Sequence, residues 1–184
     1  MTAEDAPTLE LLRKFAEAGL WVNREMVEEI IKRGDAADCI FELLKDERYW
    51  NDVGDGWFPI HAIFLLALIR TRKAFEVFRW ILENKPEELE DWLPEDVPSL
   101  LFYFGKEFFE EIKELALNRD LNIYVRLSAA DALCAMAITD ESVKIKVTEI
   151  CKNLLSEHDE EFVSLLLPVV AEIKDEAVSY THLT

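Results

Sequence analysis

The chain has 184 residues, of which 51% are hydrophobic and 32% charged, a balance that excludes a disordered polymer. Thirty-eight acidic residues against 20 basic ones leave a net charge of −18 with histidine neutral. That charge argues against nucleic acid and anionic membrane as partners, because phosphate binding needs a basic face.

Apolar residues recur at helical spacing from the start. Thr8 is placed to cap a helix carrying Leu9, Leu12, Phe15 and Ala16 that ends near Gly19. Asn23 caps a second, with Met26, Val27, Ile30 and Ile31, stopped by Gly34. Asp35 opens a third over Ala36–Lys45. The stretch Tyr49–Gly56 holds two glycines and reads as a loop into a helix from about Trp57 to Arg70, with Pro59 tolerated in its first turn. Further helices are expected over Lys73–Glu83, Glu95–Phe104, Lys106–Asn118, Asn122–Ile138, Glu141–Ser156 and Glu160–Ile173, with Pro168 kinking or splitting the last. No block alternates with a period of two, so no sheet is expected. The fold class is all-α, with about ten helices.

No secretory signal precedes the first helix, and the longest apolar stretch, Trp57 to Ile69, falls well short of the ~20 residues that span a bilayer. Cys39, Cys134 and Cys151 lie far apart and outside any C-x-x-C spacing, so they read as reduced, mostly buried thiols. A cytoplasmic protein is the expectation. The last seven residues, 178–184, lack acids and a helical stripe. They resemble translated adaptor sequence, which would end the native chain near Ala177 and make 178–184 a non-native or disordered tail.

Internal self-similarity separates a bundle from a solenoid. First helices of candidate pairs begin near Asp35, Lys73, Lys106 and Glu141. The segment from Asp120 to Leu133 lies 65 residues after the segment from Asp55 to Leu68, with Asp120 on Asp55, Val125 on Ile60, Ala132 on Ala67 and Leu133 on Leu68. The stretch Asp120 to Leu133, including Val125, Arg126, Ala129, Ala130 and Leu133, resembles the HEAT-like repeat pattern D-x-[DN]-x-x-V-R-x-x-A-A-x-A-L. Alanines on one helix also let a neighbour approach closely, as stacked helix pairs require. The resemblance implies a short α-solenoid over 1–177, with 1–34 as capping helices and about four hairpins over 35–177. The cues Trp57-Phe-Pro-Ile-His61-Ala62, Glu95-Asp96-Val97-Pro98 and Leu100 to Gly105 carry a narrower resemblance, over about Leu9 to Ala177. It is to an uncharacterised bacterial family of HEAT-like proteins, some of which carry a zinc-binding module of the type linked to SecA C-termini. No such module occurs here.

Among candidate site residues, His61 occupies the register position of Arg126, with Asp52 and Asp55 just upstream. A carboxylate–imidazole pair there would suit acid–base chemistry. A helix that is apolar nearly all round instead favours a structural donor to a loop carbonyl or carboxylate. Arg126 is expected, from the repeat, to bond loop carbonyls or Asp120. The segment Glu83–Asp96 carries seven acids against Lys85 alone, and a solvated loop is its default reading. With Trp92, its Glu87, Glu88 and Glu90 form the candidate contact for a basic partner, and Trp57 with His61 a second candidate surface. The run from Glu157 to Glu161 reads as solvated charge rather than a metal cluster. No phosphate-loop, dinucleotide, zinc-protease or nucleophile-elbow motif occurs. No catalytic residue, metal or cofactor is therefore assigned.

The function expected on these grounds is a protein-interaction scaffold, monomeric or weakly dimeric, presenting an acidic helical surface to a basic protein. The alternatives are an enzyme or accessory like the HEAT-like lyases, and an acidic DNA mimic or defence component.

Overall fold

The computed structural model describes residues 7–173. Among them every regular element is helical: twelve α-helices joined by short 3-10 turns, with no strand. The tail 178–184 lies outside the described residues. The chain divides between Glu90 and Asp91 into two compact units.

The first unit contains α1 (Thr8–Glu17), α2 (Arg24–Ile30), α3 (Ala36–Leu44), α4 (Arg48–Asn51), α5 (Phe58–Ile69) and α6 (Arg72–Asn84). Helix α3 packs on α1, α5 and α6. Its inward residues Ala37, Ile40, Leu43 and Leu44 are buried, as the spacing requires. Helix α5 has no charged residue and buries Phe58, Ile60, Ala62, Ile63, Leu65, Leu66 and Ala67. Thr71 caps α6 through the Ala74 N–H.

The second unit contains α7 (Trp92–Glu95), α8 (Val97–Phe104), α9 (Phe109–Leu117), α10 (Ile123–Thr139), α11 (Glu141–Leu155) and α12 (Glu160–Ala171). Helix α10 packs against all five others. Small residues on several of its sides make this possible: Ser128, Ala129, Ala130, Ala132 and Ala137 are all buried. Asn122, Asp140 and Asp159 cap α10, α11 and α12 by accepting from Tyr124, Ser142 and Phe162 N–H groups.

Several expectations need correction. The two additional helices, α4 and α7, are single turns, too short to show periodicity. Residues expected as loop (Tyr49–Gly56) are α4 and a 3-10 turn over Val53–Gly56. Thr8 does not cap α1, because Pro7 holds the cap position and the Thr8 hydroxyl donates to Asp35 at 2.6 Å instead. The helix expected over Glu95–Phe104 starts at Val97 as α8, with Glu95 ending the separate turn α7. Lys106–Phe108 forms a 3-10 turn before α9. Helix α12 continues past Pro168 to Ala171 rather than splitting. Pro168 is exposed and sits within the last turn, so the carbonyl it leaves unpaired faces water.

Candidate functional site

Two side chains at matching positions anchor the first turns of α5 and α10. His61 is the fourth residue of α5, and Arg126 the fourth of α10. Each reaches an orphan carbonyl at the C-terminal end of an earlier helix. His61 Nε2 lies 2.9 Å from the Gly19 carbonyl beyond α1, and Arg126 Nε donates to the Ala116 carbonyl of α9 at 3.1 Å. A carbonyl only accepts, so Nε2 carries the proton. Burial lowers the His61 pKa, with the Gly19 carbonyl opposing it, so the ring is neutral at pH 7. The Phe15 ring meets the imidazole edge-on at 5.6 Å, and the Trp57 ring lies at 6.2 Å. The nitrogen that a dyad would use is thus engaged by backbone, and Asp52 and Asp55 are both exposed.

Arg126 does not bond Asp120, which is exposed. Its Nη2 donates to both Glu157 oxygens, at 2.8 and 2.9 Å, and its guanidinium carbon stands 3.9 Å from the centre of the Phe162 ring. Glu157 is therefore not solvated charge. Val125, Ala129, Ala130 and Leu133 are core residues of α10.

Glu87, Glu88 and Glu90 are exposed on or beside the turn Pro86–Leu89, while Leu89 between them is fully buried. Lys85 bonds Glu47 at 2.8 Å. Trp92 is half-buried at the start of α7. The acids belong to the first unit and Trp92 to the second.

Sequence reasoning missed the feature with the most chemical character, a groove in the second unit. Its floor is Tyr124, Leu127, Ser128 and Asp131 of α10; Pro94 and Pro98 form one wall, Leu165 and Val169 of α12 the other, around about 190 Å³. A hollow of about 110 Å³ adjoins it at Pro98 and Asp131, between α8 and α10. Ser128 Oγ sets the spacing, bonding the Leu93 and Tyr124 carbonyls at 2.8 Å each. Asp131 is half-buried and, among the described residues, has no hydrogen-bond or ion-pair partner. Burial first, and then the charge of Glu172, raises its pKa. Apolar residues around it stay open to water: Tyr124 is 41% exposed, Leu165 39% and Phe102 36%. Among the described residues, this is a carboxylate without a partner between apolar walls, an environment that suits a cation attached to apolar surface. One signal in the sequence pointed here: Asp131 is the lone charge within the small-residue run from Ser128 to Ala137.

The first unit has a roomier hollow, about 290 Å³, lined by Arg13, Glu42, Lys45, Asp46 and Arg48 among others. Its charges largely satisfy one another, with Arg48 on Asp46 at 2.6 Å and Lys45 on Glu42 at 3.0 Å. Among the described residues no three His, Cys, Asp or Glu side chains gather where a metal could sit, and no helix is long and apolar enough to cross a membrane.

The family model described as "Protein of unknown function (DUF1186)" matches residues 10–176, so the chain belongs to that family. No curated protein and no solved structure matches it.

Proposed function

We propose that this DUF1186 protein is a HEAT-like interaction scaffold of the cytoplasm, whose second unit binds a basic protein partner through the Asp131 groove. The partner's lysine or arginine would meet Asp131, and its neighbouring apolar residues would lie against Tyr124 and Leu165. The observation that carries this reading is the half-buried Asp131 carboxylate, without a partner among the described residues, beneath exposed apolar side chains. Natural chains seldom leave a charge so placed without a use for it.

The repeat reading draws support from His61 and Arg126, which perform the same task at the same helix position. It departs from a regular array in one respect: Arg126 reaches the helix just before its own, whereas His61 reaches back to the end of α1. The net charge of −18 favours a basic partner and would speed its encounter, with Glu87, Glu88 and Glu90 adding to the field. Many acids are interleaved with bases along the helices, as in Glu10–Lys14, Glu29–Arg33, Glu83–Arg79 and Glu149–Lys152. This favours a scaffold over a DNA mimic, which needs acids in unbroken rows.

Selection from a displayed library of random peptides tests the proposal. Peptides enriched on the wild type should carry Lys or Arg beside aromatic or aliphatic residues, and should fail to enrich on Asp131→Asn. Equal enrichment on both proteins would overturn it.

A further inference from the structure

We propose that Cys134 and Cys151 are a reversible dithiol–disulfide pair, oxidised by hydroperoxide to a covalent staple between α10 and α11. The two sulfurs lie 3.7 Å apart, and both residues are 1% exposed. A disulfide needs about 2.05 Å, so the sulfurs must close by about 1.7 Å, within reach of small side-chain rotations on two packed helices. Cysteines 17 positions apart on neighbouring helices come this close because α10 and α11 pack directly and Asp140 turns the chain between them.

The order of reaction follows from which thiol donates. Either thiol can donate across this contact; with Cys134 as the donor, the bond lowers the Cys151 pKa and raises that of Cys134. In that arrangement Cys151 is the nucleophile. Its thiolate attacks one peroxide oxygen; an S–O bond forms, the O–O bond breaks, and the leaving oxygen takes a proton to become water or an alcohol. Cys134 sulfur then attacks the Cys151 sulfenic acid. The S–S bond forms, the S–O bond breaks, and hydroxide leaves with the Cys134 proton as water. Two thiols and one hydroperoxide thus give one disulfide, one alcohol or water, and one further water.

Access requires α11 to lift from α10. Helix α11 packs mainly on α10 and α12 and shows Glu141, Ser142, Ile145, Lys146 and Glu149 to water. Such an outer helix opens more readily than a central one. Cys39, half-buried beside Asp35 in the first unit, is an internal control, because burial and then the Asp35 carboxylate raise its pKa and work against thiolate formation.

The test exposes the full chain to hydrogen peroxide, then alkylates under denaturing conditions and maps the peptides by mass. The expected product is a monomer that has lost two hydrogens through a Cys134–Cys151 link. It should melt roughly 5–10 °C higher than the reduced form, for a loop of this size, and return on treatment with dithiothreitol. Cys39→Ser should keep the link and the shift, while Cys134→Ser and Cys151→Ser should lose both. Should either serine variant fail to fold, the peptide map of the wild type decides. Recovery of both residues as alkylated thiols while Cys39 is oxidised, or linkage only between molecules, would overturn the proposal.

Discussion

Arg126 and Glu157 form an ion pair shut away from water, with side chains 3% and 4% exposed and both carboxylate oxygens within 2.9 Å of one guanidinium nitrogen. The pair joins the first turn of α10 to the connection between α11 and α12, while Arg126 Nε holds the end of α9. One side chain therefore ties the start of α10 to the end of α9 and to the α11–α12 connection.

Removing Arg126 leaves the buried Glu157 carboxylate with only the exposed Arg119, at 3.5 Å. Arg126→Ala is expected to destabilise by about 3–5 kcal/mol, and the double replacement Arg126→Met with Glu157→Leu to restore much of that loss. Urea unfolding of the single and double variants measures it. A double variant as weak as Arg126→Ala would show that the hydrogen bond to Ala116, rather than the pair, is the main contribution.

Ala130 is 1% exposed on α10, beside the likewise buried Ala129 and Ala132. Ala130→Leu is expected to lower stability by roughly 1–3 kcal/mol through overpacking. An unchanged denaturation midpoint would mean that the neighbouring helices do not approach as closely as described.

Gly54 docks the 3-10 turn onto the end of α1. A Cβ there would stand 2.0 Å from the Ala16 carbonyl oxygen, at a φ of +58°. Gly54→Ala should therefore lower stability by about 2–4 kcal/mol, part steric and part backbone strain. Glu90 offers the converse case, since its φ of 45° with ψ of −129° suits glycine alone. Glu90→Gly is expected to raise the melting temperature, and a fall would contradict the strain.

The central helix and its register were legible in the sequence because α10 repeats the spacing of α5. Helices α4 and α7 were not, since one turn carries no periodicity. Glu157 was misread because its neighbours His158 to Glu161 are solvated, and only packing brings Arg126 of another helix beside it. The groove was hidden for a similar reason. Its walls come from α7, α8 and α12, and nothing in the local pattern around Pro94 or Leu165 says that they face Asp131.

His61 makes stability depend on pH. Its folded pKa is below the ordinary 6.5, so the unfolded chain binds the proton more readily. The neutral imidazole's contribution is complete above about pH 6.5 and is lost as pH falls from there through the folded pKa. Denaturation midpoints measured between pH 7.5 and 5 should fall less steeply for His61→Gln than for the wild type. Parallel profiles would mean that the buried imidazole titrates as it does in water.

The central claim is that Asp131 is kept for binding at the expense of folding. Its raised pKa means that ionising it near neutrality disfavours the fold, a penalty that disappears as pH falls and the carboxyl protonates. Asp131→Asn removes both the charge and the penalty. Calorimetric titration with one library-selected basic peptide, paired with thermal melting of the same samples at pH 7, is the most direct measurement. The account predicts that Asp131→Asn melts at a higher temperature than the wild type and binds the peptide at least tenfold more weakly, the loss of a desolvated charge pair. A variant that melts lower and binds with unchanged affinity would contradict it.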